Sequence, residues 1–179
     1  MRVFIAIDLP ENIKSKIFHK IENLQEKNLL KGKFVEKENL HLTLKFFGEV
    51  TSEQAEKIKQ KLNEIKFEKF NCTVGKTGVF DNSQYVKIIW LELISDKFED
   101  LQKEIINVFP EFPADSKKFN SHITLVRVKS VFNKENLFKE LKKINLKKEI
   151  FEIKEFVLMK SELTRQGAKY KIIERYNLC

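Results

Sequence analysis

Three histidines, two cysteines and five glycines are all that this 179-residue chain contains of those residue types, and each shortage removes a class of function. Cys72 and Cys179 make neither a disulfide framework nor a Cys/His cluster with zinc spacing, so a reducing cytoplasm is the expected compartment. The glycines form no G-x-G-x-x-G turn and no P-loop, which leaves no dinucleotide or nucleoside triphosphate cradle, although nucleotides could still occupy a cleft built otherwise. Long apolar runs are missing too. Val3-Phe4-Ile5-Ala6-Ile7 is cut off by Asp8 and Pro10, too short for a signal segment or a membrane span, and reads as a buried first strand. No Gly/Ser-rich linker or low-complexity stretch divides the chain, so residues 1–179 are expected to form one domain, or two intimate lobes, acting as a monomer.

What the chain has in quantity is positive charge and phenylalanine. Thirty-four Lys and Arg against 26 Asp and Glu give a net charge of +8, which favours a polyanionic partner such as RNA. Lysines are spread over most of the sequence, however, as they are in chains that are merely soluble. A hydrophobic fraction of 42% with sixteen Phe is enough for a packed core.

Two of the three histidines fall in one repeated pattern, His41-Leu42-Thr43-Leu44 and His122-Ile123-Thr124-Leu125. On a strand, His41 and Thr43 share one face while Leu40, Leu42, Leu44 and Phe46 share the other, and His122 with Thr124 repeats the arrangement. Two such strands can flank one phosphate. One imidazole then takes a proton, the other gives one, and the threonine hydroxyls bond the non-bridging oxygens. Histidine suits both roles near neutral pH because its unperturbed pKa is about 6.5. Strict alternation also puts Lys45 on the face of His41, within reach of a phosphate, and Arg127 on the face opposite His122. Arg127 could enter the cleft only through a bulge or a strand end.

The remaining pattern predicts an α+β fold of antiparallel sheets with helices laid on one side of each. Pro10 and Glu11 open a helix with Ile13, Ile17, Ile21 and Leu24 as its apolar stripe, and His19 falls off that stripe as a solvated residue. Phe34 and Val35 lead into the first motif strand, running to about Val50. Thr51 with Gln54 makes a capping box for a second helix buried through Ala55, Ile58, Leu62 and Ile65. A hairpin is expected from Val79 to Leu93 around Asp81-Asn82-Ser83, then a helix marked by Phe98, Leu101, Ile105 and Phe109 and ended by Pro110 and Pro113. Asn133 caps a fourth helix carrying Leu137, Leu141 and Ile144. Ile150 to Met159 and Lys169 to Tyr176 read as two closing strands joined by a turn holding Gly167. Tyr170 and Phe46 are candidate base-stacking platforms; core packing is the stronger expectation for Phe46, as it is for Trp90, whereas Tyr170, between Lys169 and Lys171, stays open.

Four segments together resemble the RNA 2′,3′-cyclic phosphodiesterases, also called 2′-5′ RNA ligases of the ThpR/LigT type, within the two-histidine phosphoesterase superfamily. They are Arg2 to Pro10, Leu40 to Glu49, Ser121 to Val128, and the tail Leu158 to Tyr170 with Ser161, Leu163, Gly167 and Ala168. The resemblance implies a bilobal, pseudo-two-fold fold of two antiparallel sheets around a central cleft, and a reaction without metal or other cofactor. It implies hydrolysis of a terminal 2′,3′-cyclic phosphate to a 2′-phosphomonoester, with His41 as proton donor, His122 as proton acceptor, Thr43 and Thr124 on the phosphoryl oxygens, and Arg127 in the motif. RNA with a cyclic phosphate end is the implied partner, and the reverse chemistry would join that end to a 5′ hydroxyl. The alternatives are a phosphodiesterase of small cyclic or 2′-5′-linked nucleotides and a non-catalytic RNA or nucleotide binder.

Overall fold

The computed structural model describes residues 1–81, 85–112, 118–146, 149–164 and 167–179. Asn82 and Ser83 of the expected turn, and Pro113, lie outside the described residues. Nine strands, β1 (Arg2–Asp8), β2 (Leu30–Phe34), β3 (His41–Glu49), β4 (Phe70–Asp81), β5 (Val86–Ile94), β6 (His122–Val131), β7 (Ile150–Ile153), β8 (Glu155–Thr164) and β9 (Gly167–Asn177), pair antiparallel throughout. Four α-helices accompany them among the described residues: α1 (Glu11–Glu26), α2 (Ser52–Leu62), α3 (Lys97–Val108) and α4 (Lys134–Lys143).

The helices form where the local chemistry predicts. Pro10, whose missing N–H costs nothing at a helix start, precedes α1, and Ile13, Ile17, Ile21 and Leu24 fall at helical spacing on its buried face. Each such side chain contributes about 1.5–3 kcal/mol on burial. At α2 the Thr51 hydroxyl accepts from Gln54 N (3.1 Å) while Gln54 Oε1 accepts from Thr51 N (2.9 Å), the reciprocal capping box. Asn133 Oδ1 accepts from Asn136 N (2.9 Å) at the start of α4.

The strand order is β7-β4-β5-β6-β3-β1-β8-β9, with β2 added beside β6. The two expected sheets are therefore two halves, β7-β4-β5-β6 and β3-β1-β8-β9, that meet between the motif strands through one register pair, Leu42↔Ile123. The order β1-α1-β3-α2 recurs as β5-α3-β6-α4, which gives the fold its pseudo-symmetry. Two features depart from the expected pattern. The run Ile150 to Met159 is broken at Lys154 into β7, which pairs β4, and β8, which pairs β1, so one apolar stretch serves opposite halves. Gly167, expected within a turn, is the first residue of β9.

β2 is a third departure. Beyond Leu42↔Ile123 the motif strands diverge, and β2 takes the space beside β6, pairing Leu30↔Val131 to Phe34↔Val126. Gly32 permits this contact, because a Cβ there would lie 2.6 Å from the Arg127 carbonyl oxygen.

One face of the sheet carries the main core. Val3, Ile5 and Ile7 of β1, Leu42, Leu91 and Ile123 pack there with Ile13, Ala55, Leu101 and Leu137 from the four helices. The opposite face, the cleft face, holds a smaller cluster of Phe4, Ala6, Val157 and Met159. Cys72 is buried and its thiol pushed up to about 12, whereas Cys179 is exposed; both are free. No helix among the described residues is long and apolar enough to cross a membrane.

Trp90, the single tryptophan, lies over Gly78, its register partner in β4. Gly78→Ala would drive a methyl into the indole, and overpacking of this kind costs about 1–3 kcal/mol. Denaturant unfolding should register that loss, and the emission of Trp90 should shift in the same variant; an unchanged midpoint would mean that the indole moves aside freely.

Candidate active site

The cleft face is organised in rungs. The pair Leu42↔Ile123 points both apolar side chains toward the helices. Continuing that antiparallel register puts Thr43 opposite His122 and His41 opposite Thr124, on the other face. Each histidine thus stands across from the threonine of the other motif. The neighbouring strands repeat the symmetry: Asp8 of β1 pairs with His41, and Glu92 of β5 pairs with His122.

Both imidazoles are held alike. His41 Nδ1 lies 2.7 Å from the carbonyl oxygen of Asn39, and His122 Nδ1 lies 2.7 Å from that of Asn120. A carbonyl can only accept, so each ring carries its hydrogen on Nδ1 and leaves Nε2 as the acceptor. The Thr43 hydroxyl donates to His41 Nε2 at 3.1 Å. Each ring is also packed against aromatics, His41 between Phe4 (5.1 Å) and Tyr170 (5.0 Å), and His122 between Phe80 (4.9 Å) and Trp90 (6.2 Å).

The next positions along both strands correct two expectations. Pairing of β1 with β3 passes from Ala6↔Thr43 to Ile5↔Lys45, so Leu44 is an extra residue and alternation flips after it. Lys45, expected on the cleft face, is fully buried on the helix face, with its Nζ 5.7 Å from the Phe47 ring centroid. Phe46, expected in the core, is 56% exposed on the cleft face, where it packs on Phe4 at 5.6 Å. The same irregularity occurs in β6, where Trp90↔Thr124 is followed by Ile89↔Val126 and Leu125 is the extra residue. Here it does what alternation alone could not and turns Arg127 onto the face of His122 and Thr124.

A cavity of about 560 Å³ opens on this face, lined by His41, Thr124 and Arg127 together with Tyr170, Phe46 and Phe4. Asn39 Nδ2 donates to the Ala168 carbonyl (3.4 Å), tying the turn before β3 to the start of β9. His19 is exposed on α1, away from the cleft. Among the described residues no three His, Cys, Asp or Glu side chains converge as metal ligands would.

Sequence reasoning missed several members of this site. Trp90 is buried, as expected, but against His122 rather than in the main core, and its Nε1 has no hydrogen-bond partner among the described residues. Lys33 enters the cavity on β2, a strand not anticipated. The Asn39 and Asn120 carbonyls had a signal, since asparagine stands two residues before the histidine in both copies.

Comparison with known proteins agrees with this architecture. The family model for LigT-like phosphoesterases matches residues 7–90 and 92–170. An RNA 2′,3′-cyclic phosphodiesterase of Methanocaldococcus jannaschii is 36% identical over 183 residues, covering 98% of this chain and 100% of the relative. One of Methanothermobacter thermautotrophicus is 30% identical, covering 99% of each. Among solved structures, E. coli LigT in apo form superposes with a TM-score of 0.79 at 25% identity, covering 99% of this chain and 96% of that one. E. coli LigT has also been crystallised with 3′-AMP.

Electrostatics sets the resting protonation of the two histidines. Packing among aromatic rings removes water from His41 and pushes its pKa down to about 4; the Asn39 carbonyl and Asp8 oppose this, and the positive charge of Arg127 adds to it. His122 is lowered by the same burial, opposed by the Asn120 carbonyl and reinforced by Arg127. Both rings are neutral in the empty site at neutral pH. Unfolding returns His41 to its ordinary value of 6.5, so between about 6.5 and about 4 the unfolded chain binds more protons and stability falls as pH is lowered. Arg127→Gln should move both histidine pKa values upward, as read by NMR titration of the ring carbons; a shift in one ring alone would place the guanidinium beside that ring only.

Proposed function

Because the chain belongs to the LigT-like phosphoesterase family, we propose that it hydrolyses a terminal RNA 2′,3′-cyclic phosphate to a 2′-phosphomonoester by acid–base catalysis between His41 and His122. What carries this reading is the register pair Leu42↔Ile123, whose antiparallel continuation sets His122 across from Thr43 and His41 across from Thr124 on one face of the sheet. A phosphate seated between them meets an imidazole Nε2 from each strand and a hydroxyl from each strand. The curated relatives named as RNA 2′,3′-cyclic phosphodiesterases cover the chain nearly end to end, and the 3′-AMP complex of E. coli LigT supports a nucleotide in a cleft of this fold.

In the step itself, His122 Nε2 takes a proton from water as the water oxygen attacks phosphorus. The bond from phosphorus to the 3′ oxygen breaks, and His41 Nε2 delivers a proton to that oxygen. Thr43 and Thr124 donate to the non-bridging oxygens as charge builds on them, and Arg127 offsets that charge. His41 is neutral when the site is empty, so its proton arrives with the substrate: an anionic diester beside the ring reverses the effect of burial and favours imidazolium. Tyr170 and Phe46 offer aromatic faces to the terminal base. With a ribose 5′ hydroxyl in place of water as the nucleophile, the same proton transfers in the same direction form the bond from phosphorus to the 5′ oxygen, break the bond to the 3′ oxygen and join two RNA ends through a 2′-5′ linkage.

An oligonucleotide ending in a 2′,3′-cyclic phosphate, incubated with the protein in EDTA, should be converted to the 2′-phosphate. A 3′-phosphate product would reverse the assignment of the leaving oxygen, and dependence on an added divalent ion would overturn the two-histidine mechanism. His41→Ala and His122→Ala should each lower turnover about 10²-fold to 10⁴-fold, or roughly 3–5 kcal/mol of barrier. Since the two side chains act in one step, the double variant should lose less than the product of the single losses.

A further inference from the structure

The rungs of the cleft do not end with the two histidine–threonine pairs. Along β6 the next residue on the cleft face is Arg127, and its register partner is Lys33 of β2. Both line the cavity that holds His41 and Thr124. The third rung is thus two cations side by side, displaced along the strand by one same-face step of about 7 Å from Thr124. It exists through two local devices already described, the extra residue Leu125 that turns Arg127 inward and the missing side chain of Gly32 that lets β2 lie against β6. Among the described residues lining the cavity the one carboxylate is Glu36, which accepts from Asn39 Nδ2 at 3.3 Å.

A single anionic phosphate occupying the first two rungs accounts for His41, His122, Thr43 and Thr124, with Arg127 at its edge. Lys33, the register partner of Arg127, lines the same cavity on the next rung, one step beyond that phosphate. We infer that Lys33 binds the phosphate on the 5′ side of the terminal nucleoside and so distinguishes an RNA end from a free nucleoside 2′,3′-cyclic phosphate. This rests on the phosphodiesterase reading given above. The cavity itself, at about 560 Å³, is sized for one nucleotide, and Lys33 lines it from β2, beside Arg127 and beyond Thr124 along the strand. Its ammonium on a flexible stem suits a backbone phosphate, which needs charge rather than a fixed geometry.

The test compares two substrates: adenosine 2′,3′-cyclic phosphate, which has no 5′ phosphate, and a short oligoribonucleotide ending in the same group. Lys33→Met should raise KM for the oligonucleotide about tenfold, the worth of one charge-assisted contact, with kcat and all parameters of the nucleoside substrate unchanged. The salt dependence of oligonucleotide binding should lose about 0.7 of log–log slope, one phosphate, and Lys33→Arg should restore most of the KM. Unchanged nucleoside turnover also reports that the variant is folded. An equal loss on both substrates would place Lys33 at the reacting phosphate and overturn the inference, as would an unaltered KM for the oligonucleotide. If the unmodified protein turned over neither substrate, it is the phosphodiesterase reading that would fall.

Discussion

One backbone pairing, Leu42 with Ile123, decides the arrangement of everything on the cleft face. Among the described residues it is the sole register pair between β3 and β6, and a slip of one residue in either strand would send its histidine and threonine to the helix face. What prevents the slip is apolar burial. Leu42 and Ile123 are both fully buried, and exchanging them for a polar pair would cost several kcal/mol across the two strands. The register of the candidate site is thus held by hydrophobic side chains on the opposite, helix-covered face. The two halves then diverge from that point, which opens the cavity and makes room for β2.

Much of this was readable in advance, wherever a short-range period governs. The α1 stripe, the Thr51 capping box, the Asn133 cap and the β4–β5 hairpin follow from residues within a few positions of one another. The two H-x-T-x strands were readable for the same reason, since alternation needs only neighbours. Lys45 and Phe46 were misassigned because alternation stops at Leu44, and a bulge is a property of two paired strands rather than of one sequence. The split of Ile150–Met159 at Lys154 is likewise invisible locally, because it depends on which distant strand each part pairs. β2, with Gly32 and two lysines in five residues, has too little pattern to stand out and forms only because β6 offers it an edge.

The histidines show how opposing forces are balanced in such a site. Aromatic packing orients the rings and removes water, which disfavours charge. The backbone carbonyls favour it at both rings, Asp8 favours it at His41, and Arg127 disfavours it again at both. Asp8 is itself engaged by Lys14 (2.5 Å) and Arg175 (3.6 Å), so its help to His41 is muted. The balance leaves both imidazoles uncharged at neutral pH, and the guanidinium of Arg127 on the same face favours an anion there.

The matched bulges carry a consequence for the near two-fold symmetry of the site. Five residues after each histidine the chain presents a side chain to the cleft, and the two halves differ there: Phe46 in one, Arg127 in the other. Without that difference a ligand could lie either way round, and the imidazoles would be interchangeable. An aromatic ring on one flank and a guanidinium on the other give the groove a heading. Under the proposed reaction, a molecule with a flat uncharged end and an ionised end would be admitted in a single sense, which would sort two chemically identical imidazoles into unlike tasks.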